Sequence, residues 1–229
     1  MRAPLSVVIP TLNAGAHLPA TLSSLGEGLA AGLLRELVVS DGGSHDATRT
    51  MAEAAGAVLV AGPPGRGGQL RRGAAAAGGP WLLFLHADTV LLPGWADAVA
   101  RHMARRPGRA GWFRLAFDAE GLAPRLVAGW ANMRARAFAL PYGDQGLLIA
   151  RPLYEAAGGF DDMPLMEDVA LVRRLGRARL APLPATALTG AERYIAEGWL
   201  RRGARNLGTL ARYALGADPA RLAERYQRR

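Results

Sequence analysis

Two residue types are missing from this 229-residue chain, cysteine and lysine. Without cysteine there is no disulfide framework and no thiolate metal site. Without lysine, all 28 basic residues are arginine. Beside abundant alanine and glycine, that pattern is one of GC-rich coding bias rather than of a polybasic binding arm. No run approaches the ~18 to 20 apolar residues that cross a bilayer. The opening Met1-Arg2, followed at once by a strand-like run with Pro10, lacks the form of a signal peptide, so cytoplasmic residence is expected. What remains is half apolar and about a fifth charged, as in a soluble globular domain with or without an appended helical tail.

The formal net charge is +9. The arginines are scattered, with pairs at Arg71-Arg72, Arg105-Arg106, Arg173-Arg174, Arg201-Arg202 and Arg228-Arg229 but no long block. Nucleic acid is therefore not the expected partner. Part of the excess is expected to meet a polyanionic ligand such as a nucleoside diphosphate.

Trp81 to Thr89, reading WLLFLHADT, organises the chain. Its five large apolar residues suit a strand buried on both faces of a parallel sheet. The acid that closes it stands where open α/β sheets bind ligands, beyond the carboxyl ends of the strands. In an extended chain His86 and Asp88 point the same way, a half-shell suited to Mg²⁺ or Mn²⁺. The plainer alternative is that Asp88 caps the next helix.

Leu5 to Ile9 reads as a first strand ended by Pro10, which cannot donate to a sheet ladder; Thr11 and Asn13 then offer polar groups. A helix from about Ala16 to Ala31 leads to a second strand, Leu34 to Ser40, stopped by Asp41. Gly42-Gly43 allow close approach, and Ser44 or Asp46 can cap a helix reaching about Ala55. Ala57 to Val60 is a third strand. Gly62 to Gly68 is a loop carrying Arg66, and Gln69 to Ala77 a helix with Arg71 and Arg72 in its first turn. There they either answer a bound anion or are simply solvated. This alternation predicts a parallel sheet with flanking helices.

In the second half, Gly94 to Arg105 is a helix and Ala110 to Asp118 a half-buried strand. Leu122 to Leu140 is a helix offering Trp130, Met133 and Phe138 to a pocket. Gly146 to Ala150 is a strand, a short helix begins at Pro152, and Met166-Glu167-Asp168-Val169 opens a helix to about Arg177. Ala191 to Leu215 is one basic amphipathic helix, with Trp199, Leu207, Leu210 and Ala214 opposite Arg201, Arg205 and Arg212. Such a helix either packs on its own domain or lies on an anionic membrane surface.

Together VVIPTLN, SDGGSHDAT, LHADT, GGFDD and MED resemble, in order and approximate spacing, family 2 glycosyltransferases of the GT-A fold. Gly143-Asp144-Gln145-Gly146 is similar to a small bacterial stand-alone group within that family. The resemblance implies a GT-A-like (Rossmann-like), mostly parallel α/β sheet flanked by helices, with a C-terminal helical tail. It places a glycosyltransferase domain at residues 1–185, with a nucleotide-binding half at 1–92 and an acceptor half at 93–185. Residues 186–229 form the helical extension packed on it.

By that resemblance Pro10, Thr11, Asn13, Asp41, Gly42, Arg66, Ala87 and Asp88 bind the nucleotide, with Asp41 at the base. Asp88, with His86 beside it, holds the cation, and Asp168 matches the catalytic base, with Glu167 as its alternative or its orienting neighbour. Asp144, Gln145 and Trp130 are placed on the acceptor side. Departures from the family pattern are His86 for the first acid of the metal motif, Gly42 for a second Asp, and Arg71 for an Asn. Ala191-Glu192-Arg193-Tyr194 replaces an Arg-Arg-Trp-like run, which argues against contacts from that segment.

The expected reaction is transfer of a sugar, with inversion, from a nucleotide-diphosphate sugar (UDP favoured) to the hydroxyl of an unidentified acceptor. One carboxylate acts as base and a metal steadies the leaving group. The rivals are a nucleotidyltransferase and a non-catalytic sugar-nucleotide-binding module. Peripheral contact of the basic C-terminal helix with the inner face of the membrane completes the expected partners.

Overall fold

The computed structural model describes residues 3–227. Met1-Arg2 and the Arg228-Arg229 pair lie outside the described residues. In chain order the first elements are β1 (Leu5–Thr11), α1 (Leu18–Ser24), α2 (Gly26–Ala30), β2 (Leu34–Asp41), α3 (Thr48–Ala54), β3 (Val58–Ala61), α4 (Arg66–Ala76) and β4 (Trp81–Phe84). Next come β5 (Thr89–Leu91), α5 (Trp95–Arg105), β6 (Ala110–Phe117), α6 (Leu122–Phe138), β7 (Leu147–Ala150), α7 (Arg151–Ala156), α8 (Glu167–Leu175) and β8 (Leu180–Thr189). Three helices close the chain, α9 (Glu192–Glu197), α10 (Trp199–Ala214) and α11 (Pro219–Gln227).

The strands form one eight-stranded sheet in the order β3-β2-β1-β4-β7-β6-β8-β5. β3, β2, β1 and β4 are parallel, and β7 enters antiparallel beside β4. This is the expected mixed, mostly parallel α/β sheet. Its first half works as the alternation requires. Leu5, Val7, Ile9, Leu37, Val39, Trp81 and Leu83 point to one buried face, while Val8, Val38, Leu82 and Phe84 point to the other. A strand covered on both faces has no polar positions to spare, which is why WLLF reads as an unbroken apolar run.

Several boundaries differ from the expectations. β1 does not stop at Pro10, which pairs with Ser40 before the strand ends at Thr11. Backbone groups alternate sides along a strand, so Pro10 lacks its donor on the side of Val8, toward β4, which has already ended at Phe84. β6 is buried almost throughout rather than half-buried, because α6 covers one of its faces. α4 starts at Arg66, so Arg66 opens a helix instead of riding a loop, and Arg71 and Arg72 lie beyond its first turn. The helix expected over residues 16–31 is two, meeting at Leu25. The helix expected over residues 191–215 is also two, broken where Gly198 takes φ 85°. β8 carries the sheet through residue 185 to Thr189 before those helices begin.

The two-faced pattern on α10 is turned from its expected orientation. Arg202 and Thr209 face inward, while Leu200, Leu207 and Leu215 are exposed. Trp199 and Tyr194 pack with Phe117 into a small aromatic cluster that ties these helices to β6. Among the described residues no helix is long and apolar enough to cross a membrane.

Helix α4 lies so close to the sheet that a Cβ on Gly73 would stand 2.4 Å from a methyl of Val8 and 3.4 Å from the Cβ of Ser40. Alanine favours helix at this position by about 1 kcal/mol over glycine. We expect Gly73→Ala nonetheless to destabilise the fold by about 1–3 kcal/mol through overpacking. Denaturant unfolding of the two proteins measures the difference.

Candidate active site

The GDQG stretch forms a tight 3₁₀ turn over Gly143–Gln145, immediately before β7. The Gly143 N–H donates to Asp168 Oδ2 at 2.6 Å, linking the turn to the first turn of α8. Gly143 has no room for a side chain, since a Cβ there would lie 2.5 Å from His86 Nε2 and 3.4 Å from Asp168 Oδ2. Three segments far apart in sequence therefore meet at one glycine. Asp168 is held a second time by the Val169 N–H, which donates to Oδ1 at 2.7 Å. α8 enters this position from Met166, whose φ of 68° is left-handed, an uncommon state for a residue with a long side chain.

Asp88 and Asp168 open into the same cleft, of about 380 Å³, together with His86, Arg66, Asp144 and Glu167. His86 and Asp88 reach it differently from the extended chain expected. The chain turns at Ala87-Asp88, with the Thr89 N–H donating to the carbonyl of His86 at 3.3 Å, and then enters β5. Asp88 caps no helix. Its Oδ1 is buried without a hydrogen-bond partner, and so are Asp144 Oδ1 and Glu167 Oε1. Arg66 Nε stands 3.7 Å from Glu167 Oε1, so the helix that begins unexpectedly at residue 66 delivers its first side chain to the acids.

The remaining residues expected at the nucleotide lie on the same edge of the sheet but do not line this cleft. Asp41 is fully buried and its four acceptor positions are occupied. Thr11 Oγ1 and Ser44 Oγ donate to Oδ1, and the Gly43 and Ser44 N–H groups to Oδ2. Burial pushes its carboxyl up, but the bonds from Ser44, Gly43 and Thr11 outweigh burial and leave it below the usual range. Asn13 binds the same turn, its side-chain oxygen accepting from the His45 N–H and its own N–H donating to Ser44 Oγ. Asp46, not Ser44, accepts from the first N–H of α3, at Thr48. Gly42 sits against the Gln69 amide and Pro64, and the Ala87 carbonyl accepts from Thr21. Pro10 stands partly exposed beside them.

Two expected acceptor-side residues are elsewhere. Gln145 is fully buried, its amide spent on the Phe113 carbonyl and the Tyr142 N–H, because it braces the turn from behind. Trp130 is exposed on the outer side of α6 and does not border the cleft. Met133 and Phe138 are likewise exposed outside it. Asp144 alone of the three joins the site.

The segment whose contacts the Ala191-Glu192-Arg193-Tyr194 departure argued against does form a wall. Glu192, Arg193 and Tyr194 line the cleft, with Arg202, Asn206 and Thr209 of α10 behind them. Tyr194 stacks on Trp199, and Asn206 donates to its hydroxyl at 3.0 Å. A readable signal existed, since this segment follows the carboxyl end of β8, on the edge where such sheets bind ligands.

Asp88, Asp144, Glu167 and Asp168 crowd one side of the cleft and repel each other. Burial, then Asp168 and Asp88, push Asp144 up to about 6, against the pull of Arg134 and Arg66. Burial, then Asp168, raise Glu167, with Arg66 opposing. His86 is driven well below the usual histidine range by burial, Arg66 and Arg193, so at neutral pH it presents an uncharged imidazole. Among the described residues, no three His, Asp or Glu side chains converge as a ready-made metal cage.

The model of glycosyl transferase family 2 matches residues 6–143, more than half the chain. The chain belongs to this family. Its match to the PGL/p-HBAD biosynthesis glycosyltransferase of Mycobacterium tuberculosis is 40% identical over 109 residues, 44% of this chain and 41% of that relative. The chain thus spans less than half the length of that curated relative. The structure of glucosyl-3-phosphoglycerate synthase from Mycobacterium tuberculosis, with Mn²⁺, UDP and glucosyl-3-phosphoglycerate, superposes with a TM-score of 0.57 at 26% identity. The match covers 82% of this chain and 70% of that one. TarS of S. aureus shares the fold over 96% of this chain and 68% of its own, with a TM-score of 0.64 at 15% identity. The sheet of this family 2 glycosyltransferase chain is that of its GT-A neighbours.

The raised Asp144 makes a stability prediction. The folded carboxyl keeps its proton to higher pH than the unfolded one, so ionising it costs stability as pH rises from about 4 to about 6. That cost is full above about pH 6 and absent below about pH 4. We expect metal-free Asp144→Asn to be more stable than wild type at neutral pH by about 1–2 kcal/mol, allowing for its partly open edge. The advantage should vanish in acid, as thermal melts across the pH range would reveal.

Proposed function

We propose that this protein transfers a sugar from a UDP-sugar to an acceptor hydroxyl with inversion at the anomeric carbon, Asp168 acting as base. The observation that carries the reading is the common cleft of Asp88 and Asp168. One acid faces the leaving group and the other faces the incoming hydroxyl, as a single in-line displacement requires.

Asp168 suits the base better than Glu167 does. Two N–H groups orient its carboxylate at the cleft. Glu167 is almost fully buried against Arg66 and acts by positioning that guanidinium. Arg66, first in its helix, is placed to meet the diphosphate, and the turn built on Asp41 borders the base and ribose. The wall of Arg193, Tyr194 and Asn206 borders the acceptor, whose identity this reading leaves open.

Asp88 fits a divalent cation, Mg²⁺ or Mn²⁺, through its buried oxygen without a hydrogen-bond partner, beside the uncharged His86. One or two carboxylates completed by ligand phosphates is the usual way such ions are held, and it needs no all-protein cage. When bound, the cation neutralises charge on the leaving diphosphate. The Mn²⁺ and UDP held by glucosyl-3-phosphoglycerate synthase support the assignment.

The transferase domain runs through the end of β8 at Thr189, with the helices that follow packed on it, and the enzyme works in the cytoplasm. Peripheral contact with the inner membrane face is through the outer side of α10, where Leu200, Leu207 and Leu215 are exposed beside Arg201 and Arg212.

Incubation with UDP-sugars and Mn²⁺ tests the activity, with released UDP as the readout. Asp168→Asn should lower kcat by about 10²- to 10⁴-fold, and Asp88→Ala should abolish the response to metal. Proton NMR of donor and product should show opposite anomeric configurations. Metal-dependent UDP binding without turnover on any donor would favour a binding module, and pyrophosphate release a nucleotidyltransferase.

A further inference from the structure

A second cleft, of about 340 Å³, lies at the N-terminal ends of β6 and β8 and shares no lining residue with the active site. Along β6, Ala110 stands about 23 Å from Phe117, which borders the active-site cleft, at 3.3 Å per residue. The cleft is floored by Trp112, Leu180 and Ala139, all nearly buried, and rimmed by Arg109, Arg136 and Arg177.

The three rim arginines come from three separate segments of the chain, and none forms an ion pair among the described residues. Sequence explains why. Residues 98–117, 121–143 and 169–191 supply the walls, and none of these stretches contains a carboxylate. The acids bounding these stretches are Asp97, Asp118, Glu120, Asp144, Asp168 and Glu192, of which Asp144, Asp168 and Glu192 line the active-site cleft.

Helix C-termini account for part of the arrangement. Arg109 follows the end of α5, Arg136 lies in the last turn of α6, and Arg177 follows α8 while donating to the Ala137 carbonyl at 2.9 Å. Each helix end contributes roughly half a negative charge. Three ends offset about half of the three guanidinium charges, and the rest is left for a ligand.

We infer that this cleft binds a phosphate group, clasped by Arg109, Arg136 and Arg177, with an apolar portion of the same ligand against Trp112 and Leu180. Guanidinium forks match phosphate oxygens geometrically. A free phosphorylated molecule and a phospholipid headgroup both carry this chemistry, and the test separates them.

Inorganic phosphate is titrated calorimetrically into metal-free full-length protein. Co-sedimentation is measured with vesicles of phosphatidylglycerol in phosphatidylcholine, and with phosphatidylcholine alone. Both assays compare wild type, Arg109→Gln/Arg136→Gln, and the charge-matched control Arg49→Gln/Arg125→Gln. The test pair leaves the Arg177 bond to Ala137 in place, and thermal melts confirm that each protein folds. Phosphate binding weakened at least tenfold in the test pair alone supports a soluble ligand. Phosphatidylglycerol-dependent sedimentation lost in the test pair alone, without phosphate binding, supports a headgroup. Equal losses in both pairs, or no binding to either probe, overturns the proposal.

Discussion

The hydrogen bond from the Gly143 N–H to Asp168 is the contact through which the site is assembled. It fastens the turn before β7 to the start of α8, and the missing side chain of Gly143 lets His86 close from the third side. Gln145 secures the turn from within the core, so the bond is backed by buried packing rather than by loop residues in water. β7 carries this turn to the ligand edge because it runs antiparallel beside β4, starting where β4 ends. Reversal of one strand thus brings a downstream segment against the acid of an upstream one.

This assembly concentrates negative charge. Asp88, Asp144, Glu167 and Asp168 share a cleft with Arg66. Three of the four keep a buried oxygen without a hydrogen bond. Leaving such groups unpaired costs stability, and the raised carboxyls record that cost. A fold retains an arrangement of this kind where a cation and its anionic ligand relieve it. Charge is also separated along β6 and β8, with Arg109 and Arg177 ahead of the strands and Asp118 and Glu192 beyond them.

Much of the first half was legible because its physics is local. Short continuous apolar runs, closed by proline or an acid, identify β1, β2 and β4 and place Asp41 and Asp88 at or just beyond strand ends. The start of α4 was hidden by Gly65-Arg66-Gly67-Gly68, which has the composition of a loop. Those glycines serve a long-range contact instead, since a Cβ on Gly67 would lie 2.2 Å from the Asp161 carbonyl. Gly198 was a stop signal inside an otherwise persuasive helical period. Gln145 and Trp130 show the opposite limit. A polar residue in a motif and an aromatic on a helix both suggest a pocket, yet which way each faces depends on segments that are distant in sequence. The departure at residues 191–194 weakened the resemblance without moving the wall, because the position of that wall follows from the end of β8.

The most direct measurement is the anomalous scattering of Mn²⁺ in crystals grown with UDP. The account predicts a peak bound to Asp88, with the diphosphate between it and Arg66 and with Asp168 across the cleft. Ordered UDP whose Mn²⁺ lies away from Asp88, or nucleotide bound outside the cleft shared with Asp168, would contradict it.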